Sequence, residues 1–186
     1  MVWNTECFKD LESRVIATMR GLRRVIDVPF YVYLYEPQDE LICLREFGDF
    51  VSRLNAKGMS AESISLSALM IEALRELGCL EEVILKSEGE DRSVLARDLE
   101  RELPKEIAKR LRSRFGDKDE SNCVILLRAS ALYPFVHVSS LLSSIEGVVR
   151  CTLVIPYPGN NVGEMLNVKG LGARKYYRAE IIGKGG

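Results

Sequence analysis

One histidine stands in a chain of 186 residues, and the five cysteines, Cys7, Cys43, Cys79, Cys123 and Cys151, never form a C-x-x-C pair. Zinc centres draw on clustered thiolates and imidazoles, so no metal site is expected. Each cysteine lies in or beside an apolar run and reads as a small buried hydrophobe. The wealth of Arg, Glu and Lys would suit a thermophile, where disulfides occur inside cells, and this leaves pairing open. Charge of one sign is missing too: 26 Lys and Arg against 27 Asp and Glu give a net charge of −1. No global field then attracts nucleic acid or an anionic membrane, and neither is an expected partner unless a local patch supplies the charge. No stretch approaches the roughly 20 apolar residues of a membrane span, and the amino end, MVWNTECFKDLESR, lacks the apolar run of a signal peptide. A cytoplasmic protein is expected. There is no G-x-x-x-x-G-K-[ST] and no G-x-S-x-G, so a P-loop phosphate cradle and a nucleophile elbow are both absent.

What is present is the composition of a folded protein, with 47% apolar and 28% charged residues. A chain of this length buries roughly 70% of its unfolded surface and needs no metal or disulfide staple. Phe8, Leu11, Val15, Met19, Leu22 and Val25 recur at helical spacing and predict a helix over about 6 to 26, ended by Asp27 and Pro29. Residues 30 to 35 are apolar or aromatic throughout, as in a strand buried on both faces of a parallel sheet. Tyr31, Tyr33 and Tyr35 alternate onto one face of it, where packing under a helix is the expected role. Residues 36 to 40 break the strand and open a helix with Asp39 as N-cap, Leu41, Leu44, Phe47, Val51 and Leu54 as its inner stripe, and Gly58 at its end. A short strand near 63 to 66 and a helix ending at Gly78 follow, with a further turn or two over 80 to 85. Residues 87 to 121 are highly charged, yet Leu95, Leu99, Leu103, Ile107, Leu111 and Phe115 repeat every four residues, which marks a charged helical insertion. Pro104 predicts a kink in it, or two helices meeting near Leu103.

The carboxyl third holds a buried strand at 123 to 127, a helix to Gly147, a strand over 148 to 155 broken at Pro156, and a last strand-like run, 176 to 182. Alternating strands and helices predict a single α/β domain with a mostly parallel, Rossmann-like sheet flanked by helices. Ligands of such sheets bind outside the carboxyl ends of the strands. Three loops should meet there: EPQDE at 36 to 40, RASALYP at 128 to 134 and PYPGNN at 156 to 161. The edge they form gathers the candidates Glu36, Asp39, Arg128, Tyr133, Phe135, His137, Tyr157 and Asn160, with Arg174 and Arg178 nearby. None of these residues forms a recognisable catalytic set. His137 has no demonstrable nucleophile, and Gly170-Leu-Gly172 beside Arg174 and Lys175 is a weak phosphate signal.

Residues 124 to 135 (VILLRASALYPF), Leu141-Leu142, Pro156-Tyr-Pro-Gly159 and Lys175-Tyr-Tyr-Arg-Ala179 together resemble the BrxB family, the small B component of BREX bacteriophage-exclusion systems. The YPF turn, the YPG turn and the YYRA strand stand in the family's order and near its spacing. His137, Val138 and Ser139 after the YPF turn, Ser143-Ser144, and Lys175 replace polar residues of the family and mark a divergent member. The resemblance implies a non-enzymatic accessory or adaptor role in phage defence, without a cofactor. It implies contact with a larger component, a PglZ-type alkaline-phosphatase-like protein first, and an AAA-type ATPase or a DNA methyltransferase as further candidates. The alternative from the residues alone is a nucleotide- or phosphate-binding sensor or enzyme using Arg128, His137 and Arg174 on the same edge.

Overall fold

A computed structural model describes residues 3–23, 28–85, 90–159 and 179–183. Helix α1 (Thr5–Met19) leads to β1 (Phe30–Tyr35), α2 (Glu40–Ala56), β2 (Ser60–Ser65), α3 (Leu66–Glu76), α4 (Leu80–Leu85) and α5 (Glu90–Phe115). Then come β3 (Asn122–Leu127), α6 (Val138–Ile145), β4 (Thr152–Pro158) and β5 (Glu180–Ile182). The strands form a five-stranded sheet in the order β2-β3-β4-β1-β5, and every pair is parallel. From β1 the chain crosses outward to β2, then returns by way of β3 to β4. Crossovers of one hand place helices on opposite faces when the direction reverses, so α2 lies on one face and α3, α5 and α6 lie on the other.

Strand β1 is buried at all six positions because both faces are covered. Tyr31, Tyr33 and Tyr35 pack beneath α1 and α2, while Phe30, Val32 and Leu34 meet α3, α5 and α6. The tyrosine hydroxyls find partners: Tyr31 lies 2.7 Å from Thr18 Oγ1, and Tyr33 donates to the Asn4 carbonyl at 3.3 Å. All five cysteines are free. Burial pushes the Cys43 and Cys123 thiols far up, and that of Cys151 to about 12, so these three are protonated fillers of the core.

Four sequence expectations are corrected. Helix α1 stops at Met19 because Gly21 adopts φ +65, and the Gly21 and Leu22 amides close on the Thr18 and Ala17 carbonyls. Val25 and Asp27 lie outside the described residues. The inner stripe of α2 is Cys43, Phe47, Phe50 and Leu54, whereas Leu41 is 80% exposed. Helix α5 is one helix through Pro104 and not two helices meeting near Leu103, with Leu99, Leu103, Ile107, Leu111 and Phe115 all buried against the core. Packing on both sides of the proline outweighs its local cost. Strand β4 starts at Thr152, later than expected, and continues through Pro156 to Pro158.

Its prolines are tolerated for a geometrical reason. Leu153 and Gly159 donate their amides to the Pro29 and Tyr35 carbonyls beside β1, both at 2.8 Å. Alternate residues, Pro156 and Pro158 among them, therefore direct their missing N–H toward β3, where pairing has already ended at Ile125 and Val154.

Strand β5 is short and is secured at both ends. Glu180 accepts from Arg14 of α1 and, at 2.8 Å, from Arg23. Gly183 follows at φ +121, and a Cβ there would lie 2.6 Å from the Leu34 carbonyl oxygen. Gly183→Ala is expected to cost about 2 kcal/mol or more through backbone strain and collision. A thermal melt followed by circular dichroism should show it, at about 2–4 °C per kcal/mol. An unchanged melting temperature would contradict the close seating of β5 on β1.

Candidate functional site

Because every strand is parallel, the segments after β3, β4 and β1 share one edge of the sheet, and these three strands are neighbours. At this edge the sheet forks. β3 stays paired with β2 through Leu127, and β4 stays with β1 through Pro158, but β3 and β4 part beyond Ile125 and Val154. A 3-10 turn, Ala129–Leu132, packs against β4 and α3 there, with Ala129 and Leu132 buried.

This turn dictates what the β3 loop presents. Arg128 enters it in the left-handed region, φ 62 and ψ 45, with its side chain exposed. Tyr133 leaves it 75% exposed, its amide bonded to the Ser130 carbonyl at 3.2 Å. The Phe135 and Val136 amides both close on the Leu132 carbonyl, at 2.9 and 2.8 Å, and turn their side chains into the core. Phe135, a candidate contact in the sequence, is 8% exposed and serves to hold the loop. His137 is exposed at the N-cap position of α6, with Nε2 3.8 Å from Glu100 of α5. It faces that neighbouring helix.

The β1 loop carries Glu36, half-buried at the start of a 3-10 turn, Pro37–Asp39. Asp39 occupies the N-cap position of α2 but makes no capping bond and is buried. Glu40, in the first turn of α2, instead accepts a bond from the Tyr35 hydroxyl. Burial foremost, and then this bond, hold the Tyr35 hydroxyl far above the usual phenol range. Tyr157, on β4, is half-buried, and burial raises its hydroxyl too. Asn160, Arg174 and Arg178 lie outside the described residues. The structure thus brings Glu36, Asp39, Arg128, Tyr133, His137 and Tyr157 to one edge and removes Phe135 from its surface.

Sequence reasoning missed Leu41, which stands on the first turn of α2 at this same edge. The signal was available: Cys43, Phe47, Phe50 and Leu54 follow the 4-3-4 spacing of a buried face, and Leu41 falls two residues, about 200°, out of phase. Leu41, Leu22 and Tyr133 are the three most exposed of the large apolar and aromatic side chains for which burial is described, and of these Leu41 and Tyr133 stand on this edge. Among the described residues no helix is long and apolar enough to cross a membrane.

A parallel sheet covered by helices on both faces, with its strand-end loops gathered on one edge and no P-loop in its sequence, is the class this fold defines. The chain matches the family model for the BREX protein BrxB over residues 62–182, more than half its length, and belongs to the BrxB family. That stretch runs from β2 to β5 and includes α5 and the loops after β3 and β4, whereas Glu36, Asp39 and Leu41 precede it. No curated protein and no solved structure matches the chain. Membership supports an accessory role in a BREX system and contact with other BREX components.

Proposed function

We propose that the protein is a non-catalytic adaptor that binds a PglZ-type alkaline-phosphatase-like protein through the carboxyl edge of its sheet. The observation that carries this reading is the presentation of Tyr133, three-quarters exposed on a loop whose flanking Ala129, Leu132, Phe135 and Val136 are all buried. An aromatic side chain held outward by a packed loop loses little freedom on binding, and tyrosine and arginine are frequent energetic anchors of interfaces. Arg128 opens the same loop at a positive φ that glycine would adopt at lower cost. Its guanidinium suits an acidic group on the partner. Leu41 and Tyr157 supply apolar surface at the ends of the neighbouring strands.

Co-expression with a PglZ-type protein and affinity capture tests the reading. Tyr133→Ala is expected to weaken capture by about 30-fold, or about 2 kcal/mol, with its melting temperature unchanged. Arg128→Gly relieves the backbone and should weaken capture without loss of stability. Undiminished capture by both variants would exclude this loop from the interface.

A further inference from the structure

Helix α5 carries two stripes. The buried one, Leu99, Leu103, Ile107 and Leu111, advances in four-residue steps, each turning about 40° around the axis. Two residues out of phase, and so about 200° away, run Arg97, Arg101, Lys105 and Lys109, all exposed. Because both stripes have the same step they rotate together, and the cations stay opposite the core along the whole segment. They are spaced about 6 Å apart along the axis, a row of about 18 Å with no apolar side chain in it.

Several of the flanking charges are paired. Arg110 and Arg114, which the sequence places in one basic cluster with Lys109 and Arg112, turn toward α3: Arg114 is 2.9 Å from Glu72, and Arg110 donates to the Glu72 carbonyl at 3.0 Å. Arg110 also pairs with Glu106, which is itself largely buried. Glu100 faces His137. Within the row, Glu102 bridges Arg101 and Lys105, each at 3.0 Å. These two cations pull the Glu102 carboxyl below its usual range. Lys109 lies 3.6 Å from Glu106, which it shares with Arg110, so two carboxylates, each shared between two cations, touch the row.

We infer that this outer row of α5 binds the phosphate backbone of duplex DNA without sequence preference. It is the kind of local patch that a chain of net charge −1 requires for such a contact. Protein interfaces centre on apolar and aromatic anchors and are poor in lysine, whereas phosphate contacts need only regularly placed Lys and Arg. Binding of single strands uses aromatic platforms for the bases, and this row has none. It holds no Asn or Gln to read base edges either.

Fluorescence anisotropy of the full chain with a labelled 20-base-pair duplex tests the inference between 50 and 200 mM salt. Four phosphate contacts predict a log–log salt slope of about −3.6, which is about a 150-fold loss of affinity across that range. Arg101→Ala with Lys105→Ala should reduce the slope to about −1.8. Glu102→Gln, which frees both cations, should tighten binding at 50 mM salt. All three positions are exposed, and thermal melts check that the variants fold. The inference is overturned by no binding at 50 mM salt, by a slope that ignores the double variant, or by polyglutamate competing as well as duplex DNA. The last outcome would assign the row to an acidic protein.

Discussion

Phe47→Ala is expected to cost about 3–5 kcal/mol, the usual range for emptying a buried aromatic site. Phe47 is fully buried under α1, with its ring 5.0 Å from that of Phe8 at 89° and 5.8 Å from that of Tyr33 at 70°. Edge-to-face pairs of this kind add to the area they bury. Phe8 and Tyr33 also touch each other, at 5.6 Å, so the cavity would open at the junction of α1, α2 and β1, where no single side chain can collapse to fill it. At about 2–4 °C per kcal/mol the melting temperature should fall by about 10 °C. Phe47→Leu keeps most of the volume and should recover much of the loss. A fall below about 1 kcal/mol for Phe47→Ala would show that α1 does not close over this face.

Phe135→Ala is expected to destabilise by about 3 kcal/mol. The adjacent anchor differs: Tyr133→Ala should stay within about 0.5 kcal/mol of the parent, since surface truncations away from special features do little. Two aromatic residues two positions apart thus separate stability from docking. Urea denaturation of the variants, read beside partner capture, makes the distinction. Loss of capture in Phe135→Ala at unchanged stability would reverse the assignment and make Phe135 a contact residue.

Much of the architecture follows from local pattern. The six apolar residues of β1 and the four-residue repeat of α5 each announce their element, because burial on both faces or on one stripe leaves a periodic trace. Parallel strands joined by helices also bring the segments at 36 to 40, 128 to 134 and 156 to 159 to a common edge, whatever their order across the sheet. The BrxB family membership is likewise carried by sequence alone.

Other features depend on which elements meet. Pro156 reads as a strand terminator, yet β4 continues past it because its missing amide faces a side where β3 no longer pairs. Pro104 reads as a break, yet its helix persists because the core holds Leu103 and Ile107 on either side. Phe135 and Tyr133 are chemically similar in the sequence, and only the turn at 129–132, wedged at the fork of the sheet, sends one inward and the other outward. Periodicity records how often a face is buried. Strand order, the fork and the direction of a loop side chain are decided by contacts between residues far apart in the chain, and these leave no local trace.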